Sequence, residues 1–109
     1  MPNVYKQLGQ NNPGTTATSI YTVPVAGSAV VSSIVICNTS AAAKTFRIHV
    51  CTTSGTTAAT TNAIAYDNAV PANETIVMTA GLTISGSFSI KTYGSTTDVV
   101  FSVYGQEIT

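Results

Sequence analysis

His49 and Cys51 carry the groups in this sequence best suited to covalent chemistry, an imidazole and a thiol two residues apart in IHVC. A thiol beside a base is the arrangement of a cysteine nucleophile. On a strand, however, residues two apart point the same way with their tips about 7 Å apart, too far for a direct hydrogen bond. An orienting carboxylate is also needed, and the nearest acids in sequence, Asp67 and Glu74, lie in other segments. His49 therefore reads as a surface or interface histidine on the strand face it shares with Arg47 and Cys51. The other acids, Asp98 and Glu107, are as scattered as the first two, so nothing gathers a carboxylate pair for glycoside hydrolysis. One histidine and no C-x-x-C leave no metal-ligand pattern. No glycine-rich loop with a Walker lysine or G-x-G-x-x-G is present to cradle a phosphate. The expectation is a protein that is not an enzyme, with no catalytic residue, no metal site and no cofactor.

Two further groups of residues have chemistry to offer. If 29–38 and 44–52 formed an antiparallel hairpin turning near residue 41, Cys37 and Cys51 would sit near opposite ends of it. That separation exceeds the roughly 7 Å Cα limit for a disulfide, and free thiols fit a reducing cytosol. The tyrosines, Tyr5, Tyr21, Tyr66, Tyr93 and Tyr104, either bury their rings at core edges and subunit interfaces or form platforms for sugar rings. The second use would make the chain a carbohydrate-binding module, with Tyr66 and Tyr93 as the residues to test. Ordered threonines facing ice are a third use, which the irregular spacing of TTATS and TTSGTTAATT argues against.

The elements that must hold these residues are all strands. Val, Ile, Thr, Tyr and Phe dominate residues 19–24, 29–38, 44–52, 62–67, 74–79, 82–84, 87–93 and 97–104. Phe46, Ile48 and Val50 alternate with Thr45, Arg47 and His49, and Phe88 and Ile90 with Ser87, Ser89 and Lys91. Residues 29–37, AVVSSIVIC, are apolar nearly throughout, as expected of a central strand covered on both faces. Pro24, Gly27, Pro71-Ala72-Asn73, Gly81, Gly86 and Gly94 break the runs. The short stretch Ala41 to Lys44 is too brief to nucleate a helix. The fold class is all-β: one β-sandwich of jelly-roll or immunoglobulin-like type with about eight short strands over residues 19–109. Residues 1–18, without apolar periodicity and rich in Asn, Gly, Pro and Thr, read as an extended N-terminal arm. Such an arm would add little to the domain's own stability.

Composition narrows the role. The 109 residues are 44% hydrophobic but only 7% charged, where about 25% is ordinary, with four basic and four acidic side chains and no net charge. Mean hydropathy of +0.30 with no net charge excludes disorder. Four dispersed cations cannot build a nucleic-acid patch. No apolar run approaches the roughly 18 residues of a membrane span, and MPNVYKQLGQ has no signal-peptide pattern, so the expectation is a chain made in the cytoplasm or one already processed. Asn38-Thr39-Ser40 and Asn73-Glu74-Thr75 match the glycosylation pattern only by chance in that setting. A neutral, hydroxyl-rich surface suits a molecule covered by neighbours, because burying hydroxyls costs far less than burying ions.

Tyr21-Thr22-Val23-Pro24, Ser32-Ser33-Ile34-Val35-Ile36-Cys37-Asn38, Thr45-Phe46-Arg47-Ile48, Ile64-Ala65-Tyr66-Asp67 and Gly105-Gln106-Glu107-Ile108-Thr109 resemble segments of small virion proteins of tailed bacteriophages. The resemblance runs from about Gln10 onward and its motifs are structural. It implies a β-sandwich accessory protein of the virion: a capsid decoration (cement) protein sitting as homotrimers on the major capsid protein, or a tail, baseplate or fibre component. On the first reading the arm reaches a neighbouring capsid subunit through Tyr5, Asn11, Asn12 and Pro13.

Overall fold

The computed structural model describes residues 3–108, and its strands follow the β-branched runs of the sequence. In chain order they are β1 (Asn3–Asn11), β2 (Thr18–Thr22), β3 (Ser28–Asn38), β4 (Lys44–Cys51), β5 (Ala63–Val70), β6 (Thr75–Ser85), β7 (Ser89–Gly94) and β8 (Val99–Ile108). They form two four-stranded antiparallel sheets, β1-β8-β3-β6 and β2-β7-β4-β5, packed as a sandwich. Partnering is nested: β4 pairs with β5, β3 with β6, β2 with β7 and β1 with β8. Every connection crosses between sheets except that from β4 to β5.

The core lies where the inward rows of the two sheets meet. Ala29, Val31, Ile34 and Ile36 from β3 and Phe101 and Val103 from β8 face Phe46, Ile48 and Ile90 from the other sheet. Phe46 and Phe101 meet edge to face, their centroids 6.2 Å apart, which suits the ring quadrupoles. The polar anchor of this core is Asn38, at the end of β3. Its Nδ2 faces the carbonyl oxygens of Ala42, Val70 and Pro71 at 2.9–3.1 Å, and its Oδ1 accepts from the Ser40 N–H at 2.9 Å. One buried amide thus ties together β3, the 39–43 crossover and the end of β5.

Several expectations change. Asn3–Asn11, read as the start of a free arm, is an edge strand paired with β8 along its length. Leu8 packs against the core at a register shift, but the neighbouring inward positions are Lys6, Gly9 and Asn11, so no apolar alternation marks β1 as a strand. β3 is central in its sheet, but only one face meets the second sheet. Its outward Val30, Val35 and Cys37 remain partly exposed, so the two-faced apolar run does not reflect cover on both sides within one copy. Residues 74–79 and 82–84 are one strand, β6, with Gly81 at φ 58° opposite the register shift near Ser32. β8 runs on past Gly105, because a side chain there would strike the Val30 carbonyl of β3 and only glycine permits the pairing. Cys37 and Cys51 are free thiols, though the hairpin premise fails: β3 and β4 lie in different sheets.

Candidate functional site

Arg47 projects from the outward face of β4, opposite Tyr93 of β7. On its other side β5 bulges: Phe46 pairs with Asn68 and Ile48 with Ala65, so Tyr66 and Asp67 both fall opposite Arg47. The bulge puts Asp67 at φ 51°, a left-handed conformation that aspartate tolerates better than most residues. It aims both side chains at the same cation. The guanidinium carbon lies 4.2 Å from the Tyr66 ring centroid and 4.2 Å from that of Tyr93. Arg47 donates from Nε to Asp67 Oδ1 at 2.6 Å and from Nη2 to Oδ2 at 3.2 Å. These hydrogen bonds hold the Asp67 carboxyl below its usual range and raise the guanidinium. A planar cation clamped between two rings and pinned edge-on by a carboxylate has little freedom left.

Next to it on the same face, His49 is buried beneath the 52–62 connection. Its Nδ1 lies 3.0 Å from the Ala59 carbonyl and 2.8 Å from Asn62 Oδ1. Asn62 accepts from the Ala59 N–H and donates from Nδ2 to the Thr57 carbonyl, which fixes its amide orientation. With acceptors on both sides, Nδ1 carries the proton and donates, and Nε2 is left as an acceptor. Lys91 donates from Nζ to the Thr56 carbonyl at 2.7 Å, pinning the same connection. Between this connection and the 12–17 connection lies a cleft of about 180 Å³ lined by Thr15, Ala17, Arg47, His49, Ala58, Ala59, Thr60, Tyr66 and Tyr93.

The sequence placed Arg47, His49 and Cys51 on one strand face, and the fold keeps them there. His49 Nδ1 turns to the loop carbonyl and Asn62, not to Cys51. Tyr66 and Tyr93, singled out as sugar-platform candidates, converge on Arg47, while Tyr5 and Tyr104 stand on the other sheet. Asp67, read as a scattered acid, is the partner that fixes Arg47; only the bulge reveals this. Thr15 and Thr60 went unnoticed within threonine-rich loops.

The four residues proposed to touch a partner separate in the fold. Tyr5 is 71% exposed on the outer face of the first sheet. Asn11 points inward, its Oδ1 accepting from Thr92 Oγ1, while its Nδ2 is buried without a partner. Asn12 donates from Nδ2 to the Thr97 carbonyl, and Pro13 is half-buried in the connection that follows. Among the described residues no three His, Cys, Asp or Glu side chains are grouped to hold a metal ion, and no helix is long and apolar enough to cross a membrane. No protein-family model, curated protein or solved structure matches this chain.

Proposed function

We propose that the chain is a non-enzymatic structural protein of a tailed-bacteriophage virion, a capsid decoration protein that binds as a homotrimer. Its β-sandwich is of the jelly-roll type: the nested pairing of β1 with β8 through β4 with β5 supports that over an immunoglobulin-like arrangement. Jelly rolls serve as capsid and lectin domains, although a fold alone does not assign a role.

The observation that carries the proposal is the outer face of the β1-β8-β3-β6 sheet. Register puts Tyr5, Gln106, Val30 and Thr83 in one row, Gln7, Tyr104, Ser33 and Thr79 in the next, then Gln10, Ser102, Val35 and Val77, and finally Val100, Cys37 and Thr75. None of these side chains is charged. Val77 is 59% exposed and Tyr104 39%. A solvated sheet face ordinarily carries ions, and its edge strands a lysine or proline against stray pairing; of the two edges here β1 carries Lys6 and β6 has neither. Aromatic, amide and β-branched groups without ions are what an interface core selects. Four strands about 33 Å long and about 4.8 Å apart present roughly 600 Å². That is below the ~800 Å² per partner of a stable pairwise interface. Contacts of this size gain strength by repetition over a lattice.

Light scattering behind a sizing column tests the trimer, with Val77→Glu as the control. The expected result is a trimer for the native chain and a monomer of unchanged thermal stability for the variant. A native chain that stays monomeric at millimolar concentration would overturn the proposal.

A further inference from the structure

The cleft beside Arg47 lies on the opposite sheet from the proposed assembly face, and assembly does not need it. We propose that it is a binding site for a single neutral sugar ring, the terminal pyranose of a glycan.

Three features of the site select that ligand class. The first is charge. Arg47 is the cation in the wall, and Asp67 already compensates it through two hydrogen bonds. Lys91 is turned away into the Thr56 carbonyl. An anion would therefore find little uncompensated charge, whereas a hydroxyl group needs only donors and acceptors. Those form the second feature. The Arg47 N–H groups not used by Asp67 donate, His49 Nε2 accepts, and the hydroxyls of Thr15, Thr60, Tyr66 and Tyr93 do either. They stand against the methyl groups of Ala17, Ala58 and Ala59, which suit the apolar C–H faces of a pyranose. The third is size. About 180 Å³ falls below the ~300–1,000 Å³ of drug-sized ligand pockets and leaves room for one ring.

The wall is also prepared in advance. Arg47 is clamped between two rings and the loop is tied down through His49, Asn62 and Lys91, so little ordering remains to be done on binding. Asp67 acts here as a positioning residue: it does not line the cleft but sets the plane of the group that does. A single ring in a site this open binds weakly, with Kd on the order of 1 mM, and copies repeated on a surface would multiply the attachment.

The test uses the intact chain, ¹⁵N-labelled, titrated with methyl α-glucoside, methyl α-galactoside, methyl α-mannoside and methyl glucuronide. At least one neutral glycoside is expected to saturate shifts of the Arg47 Nε–H and of the Tyr66, Tyr93 and Thr60 amides. Thr60→Tyr, at an exposed rim position, fills the mouth without removing a core contact and should weaken that binding tenfold or more. Tyr93→Ala should do the same, and unchanged chemical shifts in the β1-β8-β3-β6 sheet would show that the fold is intact. No cleft shifts with any neutral glycoside would overturn the proposal. So would binding undiminished in Thr60→Tyr, or a tenfold preference for the glucuronide. A monomeric chain that binds sugar would defeat only the assembly proposal, and a trimer blind to all four glycosides only this one.

Discussion

Replacing Asn38 should be among the most damaging single-atom-scale changes available in this domain. Its two amide hydrogens are shared among three carbonyls, of Ala42, Val70 and Pro71, and its Oδ1 satisfies the Ser40 N–H. The side chain is 1% exposed. A hydrogen bond of this kind contributes about 1 kcal/mol net, and stranding a buried partner costs about 1–3 kcal/mol. Asn38→Ala removes three effective bonds. The Ala42 and Pro71 carbonyls are only part-buried and can turn to water, whereas the Val70 carbonyl cannot. The expected loss is about 2–4 kcal/mol, a melting midpoint lower by roughly 10 °C or more. Asn38→Asp sharpens the reasoning, since it keeps the shape and reverses the chemistry. At neutral pH a carboxylate oxygen would face carbonyl oxygens, so the folded state favours the protonated acid and its pKa rises above the unfolded value of about 3.9. A raised folded pKa gives stability that is fully present below the unfolded pKa and lost as pH rises above it. The gap between Asn38→Asp and the native chain should therefore widen from pH 3.5 to pH 7. Urea unfolding followed by far-ultraviolet circular dichroism and tyrosine fluorescence reads both effects, with five tyrosines and no tryptophan in the chain. A loss under about 1 kcal/mol for Asn38→Ala, or a gap independent of pH for Asn38→Asp, would refute the clamp.

A second pH effect sits at the rim of the sandwich, where Tyr21 donates its hydroxyl to Glu107 Oε2 at 2.6 Å and Lys6 lies 3.4 Å from Oε1. The Tyr21 hydrogen bond, assisted by Lys6 and partly opposed by burial, pulls the Glu107 carboxyl below its usual 4.5; burial, then the same hydrogen bond, lifts the phenol well above 10. Tyr21→Phe should be less stable than the native chain at neutral pH. Thermal melts across pH should show that deficit closing as pH falls through the depressed Glu107 pKa, and narrowing again above pH 10; a deficit constant from pH 3 to 11 would contradict the linkage. Deleting residues 1–11 should strip β8 of a neighbour, uncover the Phe101 side of the core and sharply lower the unfolding midpoint in urea, whereas an unchanged midpoint would mean that β1 contributes no stability.

Much of the fold could be read in advance because β4 and β8 carry apolar inward residues at a spacing of two, β3 is apolar nearly throughout, and Phe88 and Ile90 mark the start of β7. β1 escaped that reading since Leu8, which packs on the core, stands among Lys6, Gly9 and Asn11 at a register shift, and no apolar alternation results. β6 reads as two runs because Gly81 looks like a break, though it accommodates a register shift; β8 continues past residue 104 because Gly105 allows a close backbone approach that no local pattern announces. The candidate site was half visible. Period-two logic put Arg47 beside His49, but the meeting of Tyr66, Asp67 and Tyr93 on Arg47 depends on cross-strand register and on a bulge. Neither can be computed from a local run of residues.

The nested pairing also dictates a timetable. β4 and β5 are neighbours in the chain, while β1 must wait for β8, with Asn3 opposite Ile108. On the ribosome, β1 emerges first and finds its partner last, so synthesis of nearly the whole chain passes with its first strand unpaired. Closing such distant contacts is slow, in the millisecond-to-second range for β-rich domains. In that interval the edge of β3 that β8 will cover lies open to other chains. Growth from the β4–β5 hairpin outward is the order with the shortest successive loop closures: β3 and β6 begin the second sheet, β7 and β8 then cover the open edges of β4 and β3, and β2 and β1 complete the two sheets.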